Sequence, residues 1–431
     1  MTGEAMTNAA ADTLLDRARR VLPGVAQTYS KGPDQFVEGL YPVFLESGDG
    51  CRVRDREGRE WIDYPLALGP IILGYNDPEV NAAVHAQVDR GPVFSLCNPL
   101  EVEVAERLVA MIPAAEGVRF LKTGSEATTA AVRLARAYTG RERVAQCGYH
   151  GWHDWCIGHT LRNAGIPSSA LALTHQWNYN DISSLERILA DHPGEVAAIV
   201  MEPIGVEDPA VGFLEAVRDL AHRYGSLLIY DEIITGFRLA PGGAQEYFGV
   251  TPDLAAFGKG IANGYPLAAV VGRADIMEQI ATTTFISSTF GGDAVSLAAA
   301  SATLARIQGG GVCEHLWREG GRLQSAFNML AARNELPVRM VGLAPRRVLQ
   351  FDADIDIDAN LLKGAIWQEC LDRGILMGNA NFISAAHDAD AVDATIAAFD
   401  SALAVVGDAY QRGEVARMLR GKPPGEVFRR P

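Results

Sequence analysis

Leu227-Leu-Ile-Tyr230 is a short apolar run that stops abruptly on Asp231-Glu232. Val118–Leu121, Arg143–Gln146, Ala197–Met201 and Leu267–Val271 are similar runs, and helical patterns fill the chain between them. Such runs alternating with helices predict parallel strands covered on both faces by crossover helices. Open sheets of this kind bind ligands at the carboxyl ends of their strands. Asp231 and Glu232 therefore stand where a ligand would be met. An acid there is also a common helix cap or turn residue. As a functional group its carboxylate would hold a protonated ring nitrogen, and burial would strengthen that bond.

Upstream, the first of these strands ends at Leu121, and a helix is predicted over Glu126–Tyr138. Thr123, Gly124 and Ser125 form the turn between them. That turn offers backbone N–H groups at a helix N-terminus, a natural place for an anion. A small hydroxyl beside glycine opens many helices, so this pattern alone decides nothing. It is neither G-x-x-x-x-G-K-[ST] nor G-x-G-x-x-G, and Gly258-Lys259-Gly260 lacks the hydroxyl that follows a P-loop lysine. A nucleotide-binding reading has no support.

Only five lysines occur, and Lys259 alone sits between two glycines beside an apolar run, in Asp253-Leu-Ala-Ala-Phe-Gly-Lys-Gly-Ile-Ala-Asn-Gly264. One reading is a loop lysine that reaches solvent. The other is a partly desolvated Schiff-base lysine whose neighbouring glycines admit a bulky cofactor. Phosphate cup, aspartate and lysine, in that order, are what pyridoxal phosphate requires.

Around this centre lie two flanking parts. The first has a turn-rich stretch from Pro23 to Asp34 and β-like pieces at Gly50–Arg54 and Glu60–Asp63. The last begins after Gly309-Gly-Gly311 with a helical stretch, Val312–Arg333, then strands at Val338–Val341 and Val348–Phe351. The expected division is 1–68 as an N-terminal segment joining the small domain, 69–315 as the large cofactor-binding domain, and 316–431 as the C-terminal small domain. A chain of 431 residues is long enough for two or three such units.

Hydrophobic residues make up 48% and charged residues 21%, the balance of a globular protein. A net charge of −15 repels phosphate backbones and anionic lipid, which argues against nucleic-acid and membrane-surface binding. No run approaches the length of a membrane span, and Glu4, Asp12 and Asp16 interrupt the opening where a signal peptide would be apolar. Six widely spaced cysteines read as reduced thiols acting as small hydrophobes. A cytoplasmic location is expected.

Thr123-Gly-Ser-Glu-Ala127, Tyr149-His-Gly151, Met201-Glu-Pro203, Tyr230-Asp-Glu-Ile-Ile-Thr-Gly-Phe-Arg238, Phe257-Gly-Lys-Gly260 and Ser288-Thr-Phe-Gly-Gly292 follow one another in a telling order. In order and spacing the chain resembles the class III, fold-type I pyridoxal-phosphate aminotransferases, on the glutamate-1-semialdehyde aminomutase-like branch. Pro23-Gly24, Leu73-Gly74 and the C-terminal Phe428-Arg-Arg430 extend the resemblance over nearly the whole chain. It implies an α/β fold with a mainly parallel seven-stranded sheet in a large domain, and a smaller α/β domain built from both termini. It also implies a homodimer with sites shared between subunits.

Carried over by position, the resemblance implies that Lys259 forms the Schiff base with pyridoxal 5′-phosphate and later moves the substrate proton. Asp231 would hold the pyridinium, Gly124 and Ser125 the phosphate, and Tyr149 and Ile233 the two ring faces. Glu202 would lie near the phenolic oxygen, and Thr289 would reach the phosphate of the neighbouring subunit. Plain core packing is the other reading of Tyr149 and Ile233. His150, His153 and Asp154 lie close together, but a metal site needs ligands brought from elsewhere, so no metal is expected and His150 is read as a hydrogen-bonding neighbour of the pocket. Trp152, Trp155 and Trp177 are expected to pack, with a wall of the substrate pocket as the other reading for one of them.

Against the aminomutases, the chain has Leu68 in place of a tryptophan, Lys31 in place of an arginine, and no glutamate in Gly378-Asn-Ala-Asn-Phe-Ile383. It shows no match to the carboxylate-clamping arginine of many ω-aminotransferases, and Asn379, Asn381, Ser384 and His387 are expected to line that region instead. The expectation is an aminotransferase moving an amino group from an amino-acid donor to an aldehyde or ketone by a ping-pong Schiff-base mechanism. The rivals are an intramolecular aminomutase and an inactive cofactor-binding protein.

Overall fold

The computed structural model describes residues 13–425, so Glu4, Asp12 and the Phe428–Arg430 motif lie outside the described residues. Three strands come first: β1 (Leu45–Asp49), β2 (Arg52–Asp55) and β3 (Glu60–Asp63). Seven follow: β4 (Gly117–Leu121), β5 (Arg143–Cys147), β6 (Thr174–Gln176), β7 (Val196–Met201), β8 (Leu227–Asp231), β9 (Leu254–Phe257) and β10 (Ala268–Gly272). The last four are β11 (Val338–Val341), β12 (Arg346–Phe351), β13 (Ile375–Leu376) and β14 (Asn381–Phe382).

The middle set forms one seven-stranded sheet in the order β4-β10-β9-β8-β7-β5-β6. Every residue of β7, β8, β9 and β10 is buried, because helices cover both faces. That two-sided burial is why these segments read as unbroken apolar runs.

One expectation is corrected here. The Leu267–Val271 run, read as parallel, is β10, and it lies antiparallel to both β9 and β4. The connection from β9 to β10, residues 258–267, contains a single turn of 3₁₀ helix, Lys259–Ala262. A parallel return needs a crossover of a dozen or more residues, so the chain can only double back. Lys259 sits on this reversal.

The chain's two ends meet in a second sheet, β1-β2-β3-β13, where β13 runs parallel to β3. The third sheet is β11-β12-β14. The predicted helix over Val312–Arg333 has those bounds in the structure, and the predicted Glu126–Tyr138 helix runs Gly124–Thr139. Among the described residues no helix is long and apolar enough to cross a membrane.

Leu66, Ala67 and Leu68 all take positive φ, at 44°, 56° and 76°, and Gly69 follows at 95°. L-residues visit this region singly, at a cost of about 1–3 kcal/mol each, so three in succession must be held from outside. Arg238 does so: fully buried, it donates to Gly69 O and Ile383 O and lies 4.9 Å over the Phe382 ring. Gly69 has no room for a side chain, since a Cβ there would stand 3.0 Å from that same ring.

Candidate active site

The Gly124–Thr139 helix opens with a capping box. Thr123 Oγ1 accepts the Glu126 N–H at 3.3 Å, and the Glu126 carboxylate accepts the N–H groups of Lys122 and Thr123 at 2.8 and 3.0 Å. The helical ladder begins with Ala127 N–H donating to Thr123 O at 3.1 Å. Gly124 and Ser125 N–H, in the first turn, have no helical acceptor, which leaves them for an anion.

Three further motifs converge on this turn. A Cβ on Gly151, whose φ is 109°, would lie 2.3 Å from Ser125 Oγ, and Trp152 N–H donates to that hydroxyl at 3.3 Å. The Tyr149–Gly151 loop is thus laid directly on the helix start. Ile233 fills the space between two glycines: its Cδ1 would stand 3.0 Å from a Cβ on Gly124 and 3.1 Å from one on Gly258. One isoleucine therefore joins the phosphate-type turn, the loop after Asp231 and the turn of Lys259. The glycine before Lys259, expected to admit a cofactor, makes room for this side chain.

Asp231 ends β8 and is 5% exposed. Its Oδ1 accepts Ile233 N–H at 3.1 Å, and its Oδ2 lies 2.9 Å from His150 Nδ1. His150 Nε2 lies 3.1 Å from Cys147 O, the His150 ring stacks on Trp155, and Thr128 Oγ1 donates to His150 O at 2.7 Å. Both ring nitrogens of His150 thus face fixed partners, Asp231 Oδ2 and Cys147 O, which holds the imidazole in place beside the carboxylate at the end of β8.

Lys259 has φ 41° and is half-buried. Burial lowers its amine pKa; the Asp231 and Glu202 carboxylates oppose that shift, and the Arg346 and Arg238 cations reinforce it. A larger fraction of the amine is then neutral and nucleophilic. Glu202, in the loop after β7, is pushed up by burial and by Asp231, against the pull of Arg346, His150 and Lys259. Burial also raises the Tyr149 phenol, although half of its surface stays exposed.

Lys259, Asp231, Glu202, Tyr149, Gly124, Ser125 and Ile233 thus lie in one region of the sheet edge, while Thr289 does not join them. It is exposed, on a stretch where Gly291 packs against Phe120 O and Gly292 against Glu101. Lys122 is a structural clamp, its Nζ bound to Asp293 Oδ2 at 2.6 Å, Pro266 O at 2.8 Å and Ser296 Oγ at 3.2 Å. Lys31 and Leu68 line a cavity of about 480 Å³ with Asp63, Ala67 and Tyr75.

Two expectations fail. Asn381, Ser384 and His387 are no open lining: they are buried, and the hydrogen bonds of their side chains go to their own turn. Asn379 is exposed and meets Lys363 Nζ at 3.3 Å. Trp152 does not pack in the core: it is 70% exposed, whereas Trp155 and Trp177 are buried. Cys97 is likewise exposed, and all six cysteines are free. Among the described residues no group of three His, Cys, Asp or Glu is placed to hold a metal ion.

Arg346 escaped the sequence reading. The available signal was two adjacent arginines, Arg346 and Arg347, entering a strand, where alternation must send them to opposite faces.

The family model "Aminotransferase class-III" matches residues 36–398. The 3-aminobutyryl-CoA aminotransferase of Cloacimonas acidaminovorans is 39% identical over 79% of this chain and 83% of its own. The glutamate-1-semialdehyde 2,1-aminomutase of Methanothermobacter thermautotrophicus is 35% identical over 91% of this chain and 98% of its own. Among solved structures, the FumI protein of Sphingopyxis sp. MTA144, in its PLP internal aldimine form, superposes with TM-score 0.87 at 31% identity, covering 95% of this chain and 97% of that one.

Proposed function

The chain belongs to the class III aminotransferases, enzymes that use pyridoxal phosphate, and from that premise we propose that it moves an amino group from an amino-acid donor to a separate aldehyde or ketone. The observation that carries this reading is the wedge of Ile233 between Gly124 and Gly258, which brings anion cup, buried aspartate and lysine together.

These residues fit the cofactor. Gly124 and Ser125 N–H would hold its phosphate, Asp231 its ring nitrogen, and Lys259 its aldehyde. When bound, the cofactor supplies a carbonyl that condenses with amines and a ring that takes up electrons released at the amine carbon. Asp231, steadied by His150, keeps a proton at the ring nitrogen. Lys259 Nζ, partly neutral, is the nucleophile and then the base that moves the substrate proton. Ile233 and Tyr149 would confine the ring and exclude water, and Glu202 would lie near its phenolic oxygen.

Leu68 supports a two-substrate reaction over an intramolecular one, because an aromatic wall is replaced by a smaller side chain beside the Lys31 cavity. The test is spectroscopic. An amino donor alone must remove the holoenzyme's visible band and release one equivalent of oxo acid, and an acceptor must restore it. If glutamate 1-semialdehyde is instead isomerised while amino acids leave the band unchanged, the aminomutase reading wins.

The same proposal includes a homodimer whose sites take Thr289 from the neighbouring subunit. Its support is the exposed apolar surface around that residue, with Leu96 85%, Phe285 82% and Phe290 57% exposed. Light scattering should give twice the chain mass, and a fully active monomer would refute it. Division at 68/69 and 315/316 and a cytoplasmic location complete the reading, the latter supported by six free cysteines.

A further inference from the structure

Asp231 and Glu232 are adjacent acids with separate surroundings. Asp231 meets His150 and the Ile233 N–H, whereas Glu232 is 0% exposed and meets the start of a short helix, Ala244–Phe248. The Glu232 carboxylate accepts four hydrogen bonds. They come from the Thr235 hydroxyl, from the N–H groups of Ala244 and Gln245 at 2.8 and 2.9 Å, and from Gln245 Nε2 at 3.3 Å. The Gln245 amide is tied down in turn, since its Oε1 accepts Ala114 N–H at 2.8 Å. The backbone makes room for this carboxylate: a Cβ on Gly243, whose φ is 90°, would stand 2.7 Å from Glu232 Oε2.

The main chain of Glu232 is fixed as well. Its N–H donates to Ala256 O of β9 at 2.9 Å, and its carbonyl accepts Gly236 N–H at 2.8 Å. The turn so formed lies on Phe257, two residues before Lys259, because a Cβ on Gly236 would stand 2.5 Å from the Phe257 ring. The peptide linking Glu232 to Ile233 is thereby pinned, and two groups of the site depend on it. Its N–H is the one that Asp231 Oδ1 accepts at 3.1 Å, and it carries the isoleucine wedged between Gly124 and Gly258. Disturbing a buried carboxylate is costly, because each donor left unmatched loses its hydrogen bond without regaining one from water.

We infer that Glu232 is a positioning residue for the cofactor ring, acting through the 232–233 peptide to set the Asp231 carboxylate and the Ile233 side chain. This rests on the aminotransferase reading above and names what aligns the ring's nitrogen partner.

The test compares native holoenzyme with Glu232→Gln and Thr235→Val. Glutamine keeps the length, but whichever way its amide lies, the NH2 faces a backbone N–H, that of Ala244 or that of Gln245. Thr235→Val removes one donor and leaves the other three. Release of pyridoxal phosphate on dilution, followed at the visible band, should show affinity weakened by roughly 10–100-fold in Glu232→Gln, as for hydrogen bonds lost from a charged group. Thr235→Val should weaken it less. The pH midpoint of the visible band should rise in the same order, because a ring nitrogen that keeps its proton less firmly draws less charge from the Lys259 linkage. Turnover should fall with the KM of the amino donor nearly unchanged. A lowered melting temperature with native cofactor affinity and native midpoint would make Glu232 structural only and overturns the inference. If Glu232→Gln does not fold, Thr235→Val decides by the same two readouts. Failure of the aminotransferase reading shows separately, as a native visible band that no amine removes.

Discussion

Two polar clusters in this molecule are built from similar residue types and have opposite character. At the carboxyl edge of the large sheet, Asp231, Glu202, Lys259 and Arg346 are charged groups held close together with few direct ion pairs between them. In the C-terminal turn, Asn381, Ser384 and His387 are more deeply buried and uncharged, and the hydrogen bonds their side chains make stay within the turn, with His387 Nε2 left without a partner. Asn381 spans Gly378 twice, and His387 Nδ1 accepts both the N–H and the O–H of Ser384. Burial by itself therefore does not mark a site. What marks it is a set of ionisable groups brought together from separate loops, whose mutual fields act on the Lys259 amine.

The largest effect should come from the sheet-edge cluster. Lys259→Ala should lower turnover by roughly 10²–10⁴-fold or more, since nucleophile and proton carrier go together. The melting temperature should change little, and the cofactor should remain bound without a covalent link. Equal activity would break the contrast by showing that the charged cluster is structural.

The C-terminal turn should instead control acid stability. Burial, then the nearby Arg347 and His315, holds the His387 pKa down at about 3, and two donors already occupy Nδ1. The unfolded chain, with an ordinary pKa near about 6.5, binds a proton there that the folded chain refuses. Stability is therefore full above the unfolded value and is lost as pH falls from there towards about 3, by at most about 1.4 kcal/mol per pH unit. Urea melts at stepped pH should show this slope flattened in His387→Gln. The same slope in both proteins would mean the turn is not the acid-sensitive element.

Gly151→Ala gives the smallest of the three effects and sharpens the boundary of the site. Its Cβ would meet Ser125 Oγ at 2.3 Å, with φ at 109°. Relieving both must move the loop off the helix start, at about 1–3 kcal/mol. Pyridoxal-phosphate affinity should weaken accordingly, while binding of the amino donor to the loaded enzyme stays near native. Loss of folding without any change in cofactor affinity would place this loop outside the cup.

Much of this was legible in the chain itself. Strands covered on both faces must be apolar throughout, so β7 and β8 were readable as unbroken runs and β4 and β5 as shorter ones, and the residues with chemistry were grouped in short motifs. Asp231 and Lys259 stood out because each is a charged residue at the end of an apolar stretch. What tertiary structure alone decided depends on close approach between distant segments. The reversal of β10 came from a connection too short for a crossover. Ile233 acquired its place from two glycines more than a hundred residues apart in sequence, and Trp152 and His387 exchanged their expected exposures. Arg346 and Arg347 are the clearest cases: sequence shows two arginines in a strand, but only the folded chain reveals that each has a buried Nε without an acceptor among the described residues. Local sequence determines which groups are available and which elements carry them. Whether a polar group is satisfied depends on neighbours supplied from elsewhere in the chain, and that only folding sets.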